Sequence, residues 1–443
     1  MTSPADPPPI TRAAVLGQAL ALSLGAAVSL GLARFSYALL LGPMRADLGW
    51  SYFTAGAMNT GNAAGYLLGA LLMPRAIARF GPRAALVAGG VGTAVLLALH
   101  GLVSSNALLA VLRLLSGAAS AATFVAGGLL AARLGSRAAL VVKSLPLAGR
   151  VKPMAAGQGL PVATARFAAP VEASVFAPVA APVAASLVLG LYYGGTGLGI
   201  VVSALLVPAI DGAGAGLLRA WQPAWLALGV TAAVMTLLMA AGTPPDAPSS
   251  AASARPQPVP WRSLAWALAG YGLFGLGYIG YMTFIVSLLR EQQLTPAVIT
   301  AFYITLGLGV VASSWLWAGL LQRWRGGQAM AVLNALLALA TLLPVLSAHP
   351  LAVFASGALF GAVFLSVVAS TTALVRHNLP LQAWAGGITG FTIVFALGQI
   401  AGPSAVGLIA DGPGGLARGL AVSAAMLAAG ALLAARQKAL PAR

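Results

Sequence analysis

Apolar residues fill this chain in long blocks, and each block ends where an arginine, a proline or a short polar cluster intervenes. The blocks are apolar on every side, which suits a helix surrounded by lipid rather than one lying on a soluble core. Twelve of them reach about 20 residues, the length that crosses a bilayer. The predicted spans are 13–42, 51–73, 84–103, 107–131, 183–208 and 221–241, then 263–289, 297–321, 328–347, 350–374, 384–409 and 415–435. Closed barrels would show short alternating strands, so the pattern predicts an all-α membrane protein whose helices satisfy their own backbones in hydrocarbon.

The spans repeat. Spans two, three and four begin at 51, 84 and 107, and spans eight, nine and ten at 297, 328 and 350, a shift of about 245 residues. Span five ends in Pro208-Ala209-Ile210-Asp211-Gly212 and span eleven in Leu408-Ile409-Ala410-Asp411-Gly412, which lowers the shift to about 200. The chain therefore divides into two six-helix pseudo-repeats, 13–241 and 263–437, and parallel repeats of this kind place a pathway between the halves. Roughly 40 extra residues separate spans four and five. That insert, 135–182, holds Pro146, Pro153, Pro161, Pro170, Pro178 and Pro182 and no stretch able to span a bilayer. It is expected to be a poorly ordered cytoplasmic loop touching anionic lipid; the alternatives are that it is not selected protein sequence, for example a locally frame-shifted reading of GC-rich DNA, or that it has a specific docking function. The linker 242–262, rich in Pro, Ser and Ala, is expected to tether the halves flexibly, and 1–12 and 438–443 are tails.

Composition agrees and narrows the partners. The chain is 60% hydrophobic and 7% charged, too few charges for the surface of a soluble domain. A net charge of +17 would suggest nucleic acid in a soluble protein, but here the bases alternate by loop. One set of loops and tails holds Arg12, Arg75, Arg79, Arg83, the basic residues of the insert, Arg255, Arg262, Arg323, Arg325, Arg376, Arg436, Lys438 and Arg443. The other set holds only Arg45, Arg219, Arg290 and Arg418. The bias puts both termini in the cytoplasm and makes the bilayer, not nucleic acid, the partner. No cysteine is present, which excludes disulfides and thiolate chemistry. No His/Asp/Glu cluster suggests a metal or an active site, so neither enzyme nor cofactor is expected. No Gly-x-x-x-x-Gly-Lys loop suggests ATP-driven pumping.

Two arginines fall inside spans. Arg34 lies about 13 Å and Arg113 about 10 Å from the outer ends of spans one and four. A membrane-depth arginine is costly and faces protein or water. All seven acids, Asp6, Asp47, Glu172, Asp211, Asp246, Glu291 and Asp411, fall in tails, loops or span ends. Three readings stay open: a structural role for the arginines, an outer acid folded inward, or an anionic substrate as the missing counter-charge, held by the guanidinium fork. Tyr37, Asn59, Asn62, Gln399 and the trio Tyr271, Tyr278 and Tyr281, placed on one face of span seven, complete the candidate binding set; helix-to-helix hydrogen bonds are the competing role for the amides. Gly61, Gly65, Gly69, Gly398 and Gly402 repeat at four-residue spacing and predict close helix packing. Pro403 predicts a bend in span eleven. His100 and His349 are placed at outer mouths and His377 in an inner loop, so protons stay open as a coupling partner.

Local motifs resemble the major facilitator superfamily. Arg79-Phe80-Gly81-Pro82-Arg83 after span two is similar to its Asp-Arg-x-Gly-Arg loop core, with Ala78 in place of the Asp. Arg113-Leu114-Leu115-Ser116-Gly117-Ala118-Ala119-Ser120-Ala121 is similar to its Arg-x-x-x-Gly-x-x-x-Ala pattern. Gly31-Leu32-Ala33-Arg34-Phe35-Ser36-Tyr37, the segment Tyr271 to Phe284, and Gly398-Gln399-Ile400-Ala401-Gly402-Pro403 resemble the YbfB/YjiJ-type bacterial transporters, outside 135–182. The resemblance implies a monomeric inner-membrane permease moving a small organic molecule by alternating access, with Arg79, Gly81, Arg83, Gly402 and Pro403 in gating. A transport-inactive receptor of the same fold is the alternative.

Overall fold

The computed structural model describes residues 11–144, 180–210, 218–245 and 257–441. They form twelve long helices: α1 (Arg12–Leu48), α2 (Tyr52–Phe80), α3 (Pro82–His100), α4 (Asn106–Ser144), α5 (Ala180–Ile210), α6 (Gln222–Gly242), α7 (Ala265–Glu291), α8 (Pro296–Leu316), α9 (Gln328–Leu346), α10 (Pro350–Asn378), α11 (Trp384–Ala410) and α12 (Gly415–Ala435). Eleven are long and apolar enough to cross a membrane. The other, α2, has the length but carries Thr54, Asn59, Thr60 and Asn62. The chain is a multi-pass membrane protein. Side-chain caps start several helices: Thr11 accepts from the Ala14 amide, Ser51 from Thr54 and Thr295 from Val298.

Several helices outrun their predicted ends, because the hydropathy pattern stops at the first arginine whereas a helix continues past it into the polar zone. Thus α1 reaches Leu48, α2 reaches Phe80 and α4 reaches Ser144. The last of these carries regular structure into the predicted insert 135–182, whose central part lies outside the described residues. So does most of the 242–262 linker.

The repeat seen in the sequence recurs in the packing. Gly117 of α4 sits against the Asn62 carbonyl of α2, and Gly361 of α10 sits against the Leu306 carbonyl of α8. Likewise Gly65 meets Leu114 in one half and Gly309 meets Ala358 in the other. Both pairs are related by one constant residue shift, and in each a Cβ would run into backbone, so the small residue is what allows the approach. The halves meet along α1 with α7, α2 with α11 and α5 with α8, the last two being equivalent contacts of the pseudo-symmetric pair.

The face opposite the chain termini is sealed. The Asp411 carboxylate at the end of α11 accepts from the Tyr52 and Phe53 amides at the start of α2, at 2.7 and 2.8 Å. The Tyr52 hydroxyl donates to Glu291. Thr60 Oγ1 donates to the Ile400 carbonyl at 2.6 Å and lies 2.8 Å from Ser404 Oγ. Gly56 lies against the Pro403 carbonyl and Gly407 against Tyr52.

Candidate functional site

Beneath that seal, at the seam of the halves, lies a cavity of about 320 Å³. Arg34 and Phe35 of α1, Tyr278 of α7, Phe364 of α10 and Gln399 of α11 form its buried end, and Leu30 of α1 and Tyr271 of α7, also buried, line it nearer the face that bears the termini. Tyr66, Leu67 and Ala70 of α2, Phe124, Val125 and Gly128 of α4, Tyr193 of α5, Val368 of α10 and Thr392 of α11 carry it toward the face that bears the termini. These residues are partly or fully exposed, so the cavity opens that way.

Arg34 owes its position to an irregularity in α1. From Ala27 to Phe35 the helix widens to π-type turns, closed by an i to i+5 bond from the Ser36 amide to the Gly31 carbonyl at 3.2 Å. Such segments are frequent at functional sites because they rotate a side chain out of its regular register. Around the junction, side chains hold the backbone on both sides of Arg34. Arg113 Nη1 donates to the Ala33 carbonyl at 3.2 Å and the Tyr303 hydroxyl to the Phe35 carbonyl at 2.6 Å. The extension of α1 to Leu48 also sets Arg34 deeper than the sequence suggests, about 20 Å from that end.

The two arginines end in different surroundings. Arg113, 1% exposed, spends its fork on the protein. Besides Ala33 it donates to the Met58 carbonyl at 3.4 Å and to Asn59 Oδ1 at 3.0 Å, and its Cζ lies 4.4 Å from the Tyr37 ring centroid. Arg34, 3% exposed, donates through Nη2 to Gln399 Oε1 at 2.9 Å, while its Nε has no partner. Its Cζ lies 5.6 Å from the Tyr66 ring centroid. The Gln399 amide nitrogen in turn donates to the Tyr278 hydroxyl. No described acid reaches either arginine. Asp47 accepts from Arg219 at 2.6 Å and Trp221 at 2.8 Å, and Glu291 and Asp411 belong to the seal. Asp6, Glu172, Asp211 and Asp246 lie outside the described residues.

The predicted binding set is thus divided. Arg34, Tyr271, Tyr278 and Gln399 line one cavity. Arg113, Tyr37, Asn59, Asn62 and Tyr281 do not, because each is turned into a helix contact. Tyr37 donates to the Ala55 carbonyl at 2.9 Å. Asn59 donates to Thr283 across the halves at 2.7 Å. Asn62 donates to the Arg113 carbonyl at 3.1 Å and to Ser116 at 3.2 Å. Tyr281 lies 2.7 Å from Ser356 Oγ and stacks on Phe360. Seven residues keep Tyr278 in line with Tyr271 at 3.6 residues per turn; three more carry Tyr281 off that face.

The loop-motif residues lie at the terminal face. Gly81 joins α2 to α3 at φ +82°, Arg79 lies over Phe80, and Arg83 donates to the Thr243 and Ala240 carbonyls at the end of α6, at 2.9 and 3.0 Å. Gly398 and Gly402 bring α11 onto the α7 backbone. His100, expected at a mouth, is buried and stacked on Trp225. Sequence reasoning missed Tyr66, Phe124, Tyr193, Phe364 and Phe395. A tyrosine in mid-span, with a hydroxyl that needs a partner or water, was the available signal for Tyr66 and Tyr193.

A family model described as "Uncharacterised MFS-type transporter YbfB" matches residues 26–151 and 159–435. The match enters the predicted insert from both sides, which corrects the expectation that the resemblance stops at 135–182. No curated protein matches the sequence. Among solved structures, the chain is similar to the crystal structure of the nucleoside transporter NupG, with 12% identity, a TM-score of 0.63 and coverage of 94% of this chain and 97% of that one. It is also similar to a bacterial homolog of the human lysosomal transporter Spinster, in an inward-facing and unoccupied conformation, with 13% identity, a TM-score of 0.61 and 96% of both chains covered. At these identities the likeness is one of fold.

Proposed function

Since this chain belongs to the YbfB-type family of major facilitator superfamily transporters, we propose that it carries a small carboxylate-bearing molecule across the inner membrane of a bacterial-type cell by alternating access. Both termini are cytoplasmic in this reading, which the arginine-rich loops on their side support. The cavity then opens to the cytoplasm beneath a sealed periplasmic face, and the halves rock about it.

One observation carries the substrate class. Arg34 is a buried guanidinium on the wall of the seam cavity; it has a neutral amide as its hydrogen-bond partner and a free Nε. A buried cation is stabilised by an anion with matching geometry, and a carboxylate offers two acceptors to the guanidinium edge. Gln399 and Tyr278 extend the polar end and orient the bound group. Arg113 acts as a positioning residue through the Ala33 carbonyl. The test is flux of radiolabelled carboxylates into proteoliposomes. Wild type is expected to accumulate or equilibrate at least one, Arg34→Ala to lose that flux, and Arg34→Lys to retain part of it. Unchanged carboxylate flux in Arg34→Ala would refute the assignment.

A further inference from the structure

We infer that the cavity takes an aromatic carboxylate, with a flat ring seated on the aromatic wall of the C-terminal half and its carboxylate on Arg34. The inference rests on the anion-clamp reading above and adds the shape of the rest of the molecule.

The wall is a set of near-parallel rings. Tyr271 and Phe395 have centroids 5.0 Å apart and planes 19° apart. Phe274 and Tyr278 are separated by 4.8 Å and 20°, Tyr278 and Phe395 by 5.6 Å and 15°, and Tyr278 and Phe364 by 6.0 Å and 9°. Phe274, wholly buried, backs the set. Offset stacking and edge-on contact are the two arrangements aromatic pairs favour, and this set is stacked. Across the cavity, Tyr66, Phe124 and Tyr193 are tilted against one another by 49° to 55°. Near-parallel rings at these spacings are stacked on one another, and Phe395, the one ring of the set that is only partly buried, lines the cavity and offers a planar guest a face on which to continue the stack.

Polarity is segregated in the same direction. The charged and amide groups sit together at the buried end, Arg34 with Gln399 and Tyr278, whereas the middle is ring and aliphatic surface and Thr392 and Tyr193 stand toward the mouth. A sugar or a polyhydroxylated acid would leave its hydroxyls against hydrocarbon, where unmet hydrogen bonds are costly. A molecule with one anionic end and a flat apolar body meets both environments.

The full-length purified protein can be titrated with benzoate, cyclohexanecarboxylate and benzyl alcohol as probes, read by calorimetry. Benzoate is expected to bind about three- to tenfold more tightly than cyclohexanecarboxylate, the range of an aromatic pair, and at least about tenfold more tightly than benzyl alcohol. Phe395→Leu is expected to bring the two acids within about twofold of each other while cyclohexanecarboxylate keeps its wild-type affinity. Equal binding of the two acids by wild type, or an unchanged preference in Phe395→Leu, overturns the aromatic inference and leaves the anion clamp standing. Benzyl alcohol binding as well as benzoate, or neither acid binding at millimolar concentration, overturns the clamp and this inference with it.

Discussion

Two guanidinium groups are buried in the N-terminal half, and what separates them is what each leaves over. Arg113 is enclosed by the Ala33 and Met58 carbonyls, Asn59 and the Tyr37 ring, and the acceptors around it are matched to its fork. Arg34, a helix away, has Gln399 and an unpartnered Nε and borders open volume. Burial alone does not mark a binding residue. The useful question is whether the protein has already satisfied the group, and the answer divides a structural cation from one still able to take a ligand.

The comparison breaks first at Arg113 if it is wrong. Arg113→Ala removes charge-assisted bonds to three buried acceptors, each worth about 1.5 to 3 kcal/mol, so its unfolding midpoint should fall by several kcal/mol equivalent in a detergent denaturation series. Arg113→Lys should recover little, since one ammonium cannot span Ala33, Met58 and Asn59 together. Wild-type stability in Arg113→Ala would show that those contacts are not what holds α1 in place.

Arg34→Ala should behave in the opposite way. Removing an incompletely paired buried cation leaves unliganded stability within about 1 kcal/mol of wild type or raises it. The thermal stabilisation given by a bound carboxylate should disappear, a loss of about 1.5 to 3 kcal/mol of charge-assisted hydrogen bonding. A marked fall in unliganded stability would place Arg34 in the same structural class as Arg113.

Smaller effects sharpen the contrast between sealed face and open cavity. Asp411→Asn weakens the carboxylate bond to the start of α2, by about 0.5 to 2 kcal/mol if it acts as a helix cap does. The chain has no cysteine, so Ser404→Cys introduces a lone thiol within the seal. Adding Asp411→Asn should speed its labelling at least about twofold; an unchanged rate would show that Asp411 does not hold the seal. Tyr281→Phe should cost about 0.5 to 1.5 kcal/mol through the lost contact with Ser356 and leave carboxylate affinity unchanged. A changed affinity would return Tyr281 to the binding set.

Much of the architecture was legible because it is written locally. Block length gives the spans, and the constant shift that relates spans two to four with eight to ten reappears as the Gly117–Asn62 and Gly361–Leu306 contacts. Within the candidate site, Arg34, Tyr278 and Gln399 stood out because polar groups at membrane depth are conspicuous. The division between Arg34 and Arg113 was not legible, since it depends on where the Ala33, Met58 and Phe35 carbonyls point once α1 adopts its π-type segment, and nothing in Ala27–Phe35 announces that geometry. The aromatic wall was hidden for a related reason. Phe364 and Phe395 come from different helices, and a phenylalanine in an apolar span looks the same whether it faces lipid, a neighbouring helix or a cavity.

Arg34 is left with an unpartnered Nε by the protein, and in the function proposed above its partner is the transported anion. Calorimetric titration of benzoate into wild type, Arg34→Lys and Arg34→Ala tests it most directly. Affinity should fall at least about tenfold in Arg34→Ala and to a lesser extent in Arg34→Lys; equal affinity in all three proteins would contradict it.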